Sequence, residues 1–133
     1  MNLVTYTYKR VGNLAINADV YCPEHMGKRP CVVWIHGGAL INGHRSSVPA
    51  FLLEPFLEAG YAVVSIDYRL APESRLPQII EDLEDAWRWV CESGPDLFGI
   101  DAERVAVAGG SAGGYLALTA GFRARPRPAC VVA

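Results

Sequence analysis

The chain has 133 residues, 51% hydrophobic and 20% charged, with a net charge of -2 and a pI ≈ 5.9. At about 100–200 residues per domain this is one globular domain at most, too apolar for a disordered chain. The balance of charge offers neither a basic patch for nucleic acid nor an acidic tail for a charged partner.

The first ten residues lack the basic-then-apolar order of a secretion signal, so a soluble, cytoplasmic chain is expected. Residues 105–122 carry no charge and are long enough to raise a membrane helix. The glycines crowded around Ser111 favour a strand-turn-helix there instead, and no membrane span is expected. Cys22, Cys31, Cys91 and Cys130 are far apart and lack ligand spacing, so neither a metal nor a cofactor is expected. Cys31, Cys91 and Cys130 lie in apolar runs and are expected to be buried.

Taken in order, the chain opens with two alternating segments. Val4, Tyr6 and Tyr8 share one face, as do Leu14, Ile16, Ala18 and Val20, and Gly12-Asn13 between them is a turn signal for a β-hairpin. Residues 21–30 read as a surface loop. Residues 31–35 are apolar without alternation, as in a strand covered on both faces. Ser46 or Ser47 caps the next helix, with Pro49 in its first turn, an apolar stripe of Phe51, Leu52, Phe56 and Leu57, and Gly60 as its stop. Residues 62–66 form another buried strand.

Pro77 and Gly94 bracket a second helix. Ile79, Ile80, Leu83, Ala86, Trp87 and Val90 line one face of it; Glu81, Asp82, Glu84, Asp85 and Arg88 read as its solvated face. Residues 99–103 read as a turn and 104–108 as a strand, followed by a helix to about Arg125 and a last apolar strand at 129–133. Strand alternating with helix predicts a mostly parallel sheet with an antiparallel leading hairpin and helices on both faces.

Chemistry concentrates in two glycine-rich junctions. Gly109-Gly110-Ser111-Ala112-Gly113 fits G-x-S-x-G, the sharp strand-to-helix turn that lifts a serine hydroxyl above a sheet. A loose dinucleotide or P-loop reading fails, because no Lys-Ser/Thr pair is present and the turn is not the first strand-helix junction. His36-Gly37-Gly38-Ala39 follows the first buried strand, where consecutive glycines let backbone N–H groups face a carbonyl oxygen as it becomes negative. Gly37, Gly38 and Ala112 are the candidate donors of that oxyanion hole, and Ser111 is the candidate nucleophile.

With Asp67-Tyr68-Arg69-Leu70-Ala71-Pro72-Glu73 between them, these motifs resemble the hormone-sensitive-lipase-like carboxylesterase and lipase branch of the α/β-hydrolases over residues 30–133. The resemblance implies an α/β-hydrolase fold and an ester substrate attacked by Ser111, with His36 supporting the oxyanion loop. It also implies that Arg69 and Glu73 hold the loop behind the site. Ala39 replaces that branch's third glycine, and Gly110 stands where many members carry an acidic residue.

These hydrolases take their triad in the order Ser, Asp/Glu, His, yet no Asp, Glu or His follows Ser111. His25 reads as an exposed loop residue, His36 as structural, and His44 as a weak candidate base. Residues 1–133 therefore read as the amino-terminal portion of one hydrolase domain, ending after the nucleophile helix and its next strand, with the sheet edge expected to let copies associate. Two alternatives stay open: a non-catalytic ligand-binding protein on a hydrolase scaffold, and a peptidase of the prolyl-oligopeptidase type, whose elbow Tyr115 also matches.

Overall fold

A computed structural model describes residues 1–24 and 27–133. His25 lies outside the described residues. Six strands form one sheet: β1 (Asn2–Val11), β2 (Leu14–Cys22), β3 (Arg29–Ile35), β4 (Ala62–Ile66), β5 (Ile100–Gly109) and β6 (Cys130–Val132). Their order across the sheet is β1-β2-β4-β3-β5-β6. The hairpin β1–β2 and the β2–β4 pair are antiparallel, while β4–β3, β3–β5 and β5–β6 are parallel.

The apolar runs of β3 and β4 occupy the centre, where every residue of β4 is buried. Helices cover both faces. On one, α1 (Ala50–Glu58) sets Leu52 and Phe56 against Val32, Trp34 and Ala108. On the other, α2 (Leu76–Phe98) and α3 (Ala112–Arg123) close over Val33, Ile35, Val64, Val105 and Val107. Each fully buried aliphatic side chain contributes about 1.5–3 kcal/mol, so the α2–α3 face holds most of the core. No residue of α1 is fully buried.

Several boundaries differ from the sequence reading. Tyr21 extends β2 instead of starting a loop. The cap before α1 comes from neither serine: the His44 side chain accepts from the Ser46 N–H at the head of a short 3-10 turn, and Pro49 leads into α1. Phe51 leaves the expected stripe and is exposed, because α1 meets the sheet through Leu52 and Phe56 alone among its aromatic and leucine anchors in that cluster.

The second helix runs through Gly94 and stops at Gly99, which takes the left-handed conformation (φ 67) of a helix C-cap. Gly94 has a packing role instead, since a methyl there would sit 2.7 Å from Ile100 Cδ1. β5 begins at Ile100, and the expected turn survives as an outward loop inside it: five steps from Ile100 to Val105 answer two steps from Arg29 to Cys31 on β3. Cys130 is exposed, because β6 is paired on one side only and none of its residues is buried. No helix among the described residues is long and apolar enough to cross a membrane.

The largest departure is Asp82. The charge pattern of α2 places it on the solvated face, yet it is fully buried. Its cations come from distant chain segments: Lys9 Nζ lies 2.8 Å from Asp82 Oδ1, and Arg69 donates to both carboxylate oxygens from its backbone N–H, Nε and Nη2 at 2.9–3.1 Å. Lys9 also meets Asp85 at 2.6 Å. It reaches them because β1 bulges at Tyr8, where Thr7 pairs with Asn17 and Lys9 with Ile16. Two consecutive side chains thereby turn toward α2. Replacing Asp82 with alanine removes the one fully buried carboxylate shared by two nearly buried cations and leaves them only the more exposed Asp85 and Glu81, so Asp82→Ala is expected to cost about 3 kcal/mol, read as a lowered midpoint in urea.

Candidate active site

Parallel strands deliver their carboxyl ends to one edge of a sheet. Here β3 leads there into His36-Gly37-Gly38, β4 into Asp67-Tyr68-Arg69, and β5 into Ser111. The three motifs thus meet although 31 residues separate His36 from Asp67 and 44 separate Asp67 from Ser111.

Ser111 stands at φ 56, ψ -122, a conformation that side chains rarely adopt, and it is exposed at the head of α3. The turn is held by close backbone approach. A methyl on Gly109 would lie 2.1 Å from the Gly113 oxygen, and one on Gly113 would lie 2.0 Å from the Ile35 oxygen. Among the described residues the Ser111 hydroxyl has no hydrogen-bond partner, and its side chain does not cap α3.

Of the candidate oxyanion donors, Gly37 lies against the serine and Ala112 follows it in the chain. Gly37 packs against the elbow so closely that a methyl there would sit 3.2 Å from Ser111 Cβ and 2.9 Å from the Gly110 oxygen. Among the loop and cap hydrogen bonds of the described residues, none has the N–H of Gly37, Gly38 or Ala112 as donor. The carbonyl of Ser111, in the same peptide as the Ala112 N–H, accepts from Gly114 and Tyr115 at 2.9 and 3.2 Å. This fixes the plane of that donor.

His36 is buried with its ring stacked on Tyr68 at 4.3 Å. Its Nδ1 lies 2.7 Å from the Gly37 oxygen. A carbonyl only accepts, so Nδ1 carries the proton and donates. Gly43 must be glycine here: it has φ 108, and a methyl would meet His36 Nδ1 at 2.2 Å.

The far end of the loop is clamped by Arg45, which reaches Asp19 at 2.8 Å and Asp67 at 2.5 Å, while its carbonyl accepts from the Ser65 hydroxyl. Nothing in the local sequence flags Arg45, because its partners lie on other strands. Ala39 and Leu40 both have positive φ, 55 and 66.

The contacts of His44 lie within its own stretch and on Asp67, none of them on Ser111. Its ring contacts Ser46 Oγ at 2.9 Å, Arg45 Nη1 at 2.9 Å and Asp67 Oδ2 at 3.8 Å, on an exposed stretch. Arg69 holds its loop through Asp82, but Glu73 is exposed and makes no ion pair among the described residues. The site therefore offers the exposed Ser111 hydroxyl and the N–H groups of Gly37, Gly38 and Ala112, with no histidine or carboxylate hydrogen-bonded to the serine among the described residues.

The BD-FAE family matches residues 18–127. Esterase LipI of Mycobacterium tuberculosis is 42% identical over 104 residues, covering 78% of this chain and 32% of that protein. The non-reducing polyketide synthase Preu6 of Preussia isomera is 37% identical over 126 residues, 89% of this chain and 6% of the synthase. Among solved structures, a thermophilic esterase of Thermogutta terrifontis, Est2 with butyrate bound, superposes with a TM-score of 0.78 at 27% identity, covering 86% of this chain and 42% of that one. The chain thus spans about a third of LipI and under half of Est2.

Two properties of the loop are open to direct measurement. Burial pushes the His36 imidazole below the ordinary value of 6.5. Between its lowered value and 6.5 the unfolded chain binds more protons, so His36 adds stability as pH rises through that window and withdraws it as pH falls. An NMR titration of the His36 ring is expected to find its midpoint below 6.5. At Ala39, where φ is 55, Ala39→Gly removes left-handed strain and is expected to raise stability by up to about 1 kcal/mol, seen as a higher urea midpoint.

Proposed function

Since the chain belongs to the BD-FAE family of α/β-hydrolase-like domains, we propose that it is the nucleophile-bearing part of a serine carboxylesterase. The observation that carries this reading is the positive-φ Ser111 packed against Gly37, with the N–H groups of Gly37, Gly38 and Ala112 donating to no acceptor among the described residues. Ser111 Oγ attacks the ester carbonyl, and the carbonyl oxygen takes the charge within reach of Gly37, Gly38 and Ala112. Collapse expels the alcohol and leaves an acyl group on Ser111, which water then removes. Each oxyanion donor is worth about 10²–10³ in rate.

The proton leaving Ser111 needs a base, and no histidine, aspartate or glutamate follows it in these residues. The acid and histidine are supplied from outside them. The esterases among the relatives support an ester over a peptide bond, and the butyrate held by Est2 suggests a short acyl chain.

In the full-length protein, p-nitrophenyl butyrate is expected to be hydrolysed and a fluorophosphonate to label one serine. Ser111→Ala is expected to abolish both. Unchanged turnover in that variant would refute the nucleophile assignment, whereas a wild type that neither turns over nor labels would favour the ligand-binding alternative.

A further inference from the structure

We propose that Tyr68 is a positioning residue of the oxyanion hole. Its hydroxyl and the imidazole stacked on it hold, from their carbonyl sides, the two peptide planes that present the Gly37 and Gly38 N–H groups. The proposal rests on the esterase reading of Ser111, and goes beyond it by assigning a role to a residue outside the nucleophile and its donors.

A peptide unit is planar and trans, so its N–H points opposite to its C=O. Fixing the oxygen fixes the direction of the hydrogen. The Tyr68 hydroxyl donates to the His36 oxygen at 2.7 Å, and the other end of that same peptide is the Gly37 N–H. The His36 Nδ1–H donates to the Gly37 oxygen at 2.7 Å, and the other end of that peptide is the Gly38 N–H. The two donor rings are themselves in contact, with centroids 4.3 Å apart and planes inclined by 12°. One stacked pair therefore aims two consecutive donors. A hydrogen bond on the carbonyl also polarises the peptide and makes its N–H a stronger donor.

Tyr68 can act as a fixed point because its own backbone is held on both sides. Asp67 N–H donates to the Asn17 oxygen at 2.9 Å, and Arg69 N–H to the fully buried Asp82 carboxylate at 2.9 Å. Two residues further, Ala71 N–H donates to the Leu40 oxygen at 2.7 Å, tying this segment to the oxyanion loop itself. The phenol is 4% exposed, and burial pushes its pKa up to about 12, so it remains a donor wherever the protein is folded.

Tyr68→Phe keeps the ring and its stacking and deletes one oxygen. In the full-length protein labelled with 15N-glycine, the Gly37 amide proton is expected to move upfield. For p-nitrophenyl butyrate, kcat is expected to fall about five- to thirtyfold with KM within about twofold, since the lost hydrogen bond acts on the transition-state donor. Affinity for a trifluoromethyl ketone, which presents an oxyanion, should fall by the same factor as kcat/KM. A Gly37 amide that does not move, or a loss confined to KM, overturns the proposal. Should Tyr68→Phe fail to fold, 3-fluorotyrosine at position 68, a stronger donor of nearly the same shape, is expected to move the Gly37 amide downfield and tighten the ketone; no change in either overturns it. The amide shift decides the role of Tyr68 even where Ser111→Ala and the wild type prove equally inactive, an outcome that sinks only the esterase reading.

Discussion

The approach of the elbow to the strand beside it sets the terms for everything else. Gly113 comes so near β3 that the Ile35 oxygen occupies the space of a methyl, and Gly109 meets Gly113 in the same way. With no side chains to separate them, β3, β5 and the first turn of α3 share one small volume. Ser111 is left over this contact at φ 56. The strain of that conformation, on the order of 1–3 kcal/mol, is tolerable because the surrounding core over-determines it. Loosen the contact and the positive φ of Ser111 loses the packing that holds it.

Around that contact the protein uses polar groups as struts where a core of this size cannot reach. The loop after β3 rises beyond the sheet edge and meets the main core through the partly buried Leu40, and polar contacts supplement that packing. Arg45 bridges Asp19 and Asp67 at one end of the loop, and the His36–Tyr68 stack stands at the other. Behind them Lys9, Arg69 and Asp82 join the leading hairpin, the Tyr68 segment and α2. Buried ion pairs are poor sources of net stability, since desolvation offsets most of their attraction. Their use here is consistent with fixing where segments meet.

The motifs that lie within a few consecutive residues were legible in the sequence. Glycines flanking a serine after an apolar run announce a backbone that must approach closely, and two glycines after His36 announce exposed N–H groups. The parallel pairing of the later strands followed from the alternation of strand and helix, whereas their order, with β3 between β4 and β5, did not. What the sequence hid depends on partners. Asp82 sits in the charged stripe of α2 by periodicity, and only the bulge at Tyr8, which no composition rule signals, brings Lys9 to it. Gly94 and Gly99 are both plausible helix stops; the packing of Ile100 against Gly94 decides between them. Phe51 and Cys130 look buried because hydrophobicity records a preference and not a neighbour, and the sheet provides none there.

The bulge in β1 has one more consequence. Before Tyr8 the strand turns its even-numbered residues toward α2, and after it the odd-numbered ones, so the strand runs in two phases on one face. A hairpin slipped by one residue could restore either Tyr8 to the Asp67 oxygen or Lys9 to Asp82, but not both. Apolar patterning already opposes such a slip, which would turn the buried face outward, and the phenol and ammonium add contacts that no other side chain of the strand can replace. The leading hairpin therefore works as a keyed part, admitted to the sheet in a single frame, and the Tyr68 segment it braces inherits that uniqueness.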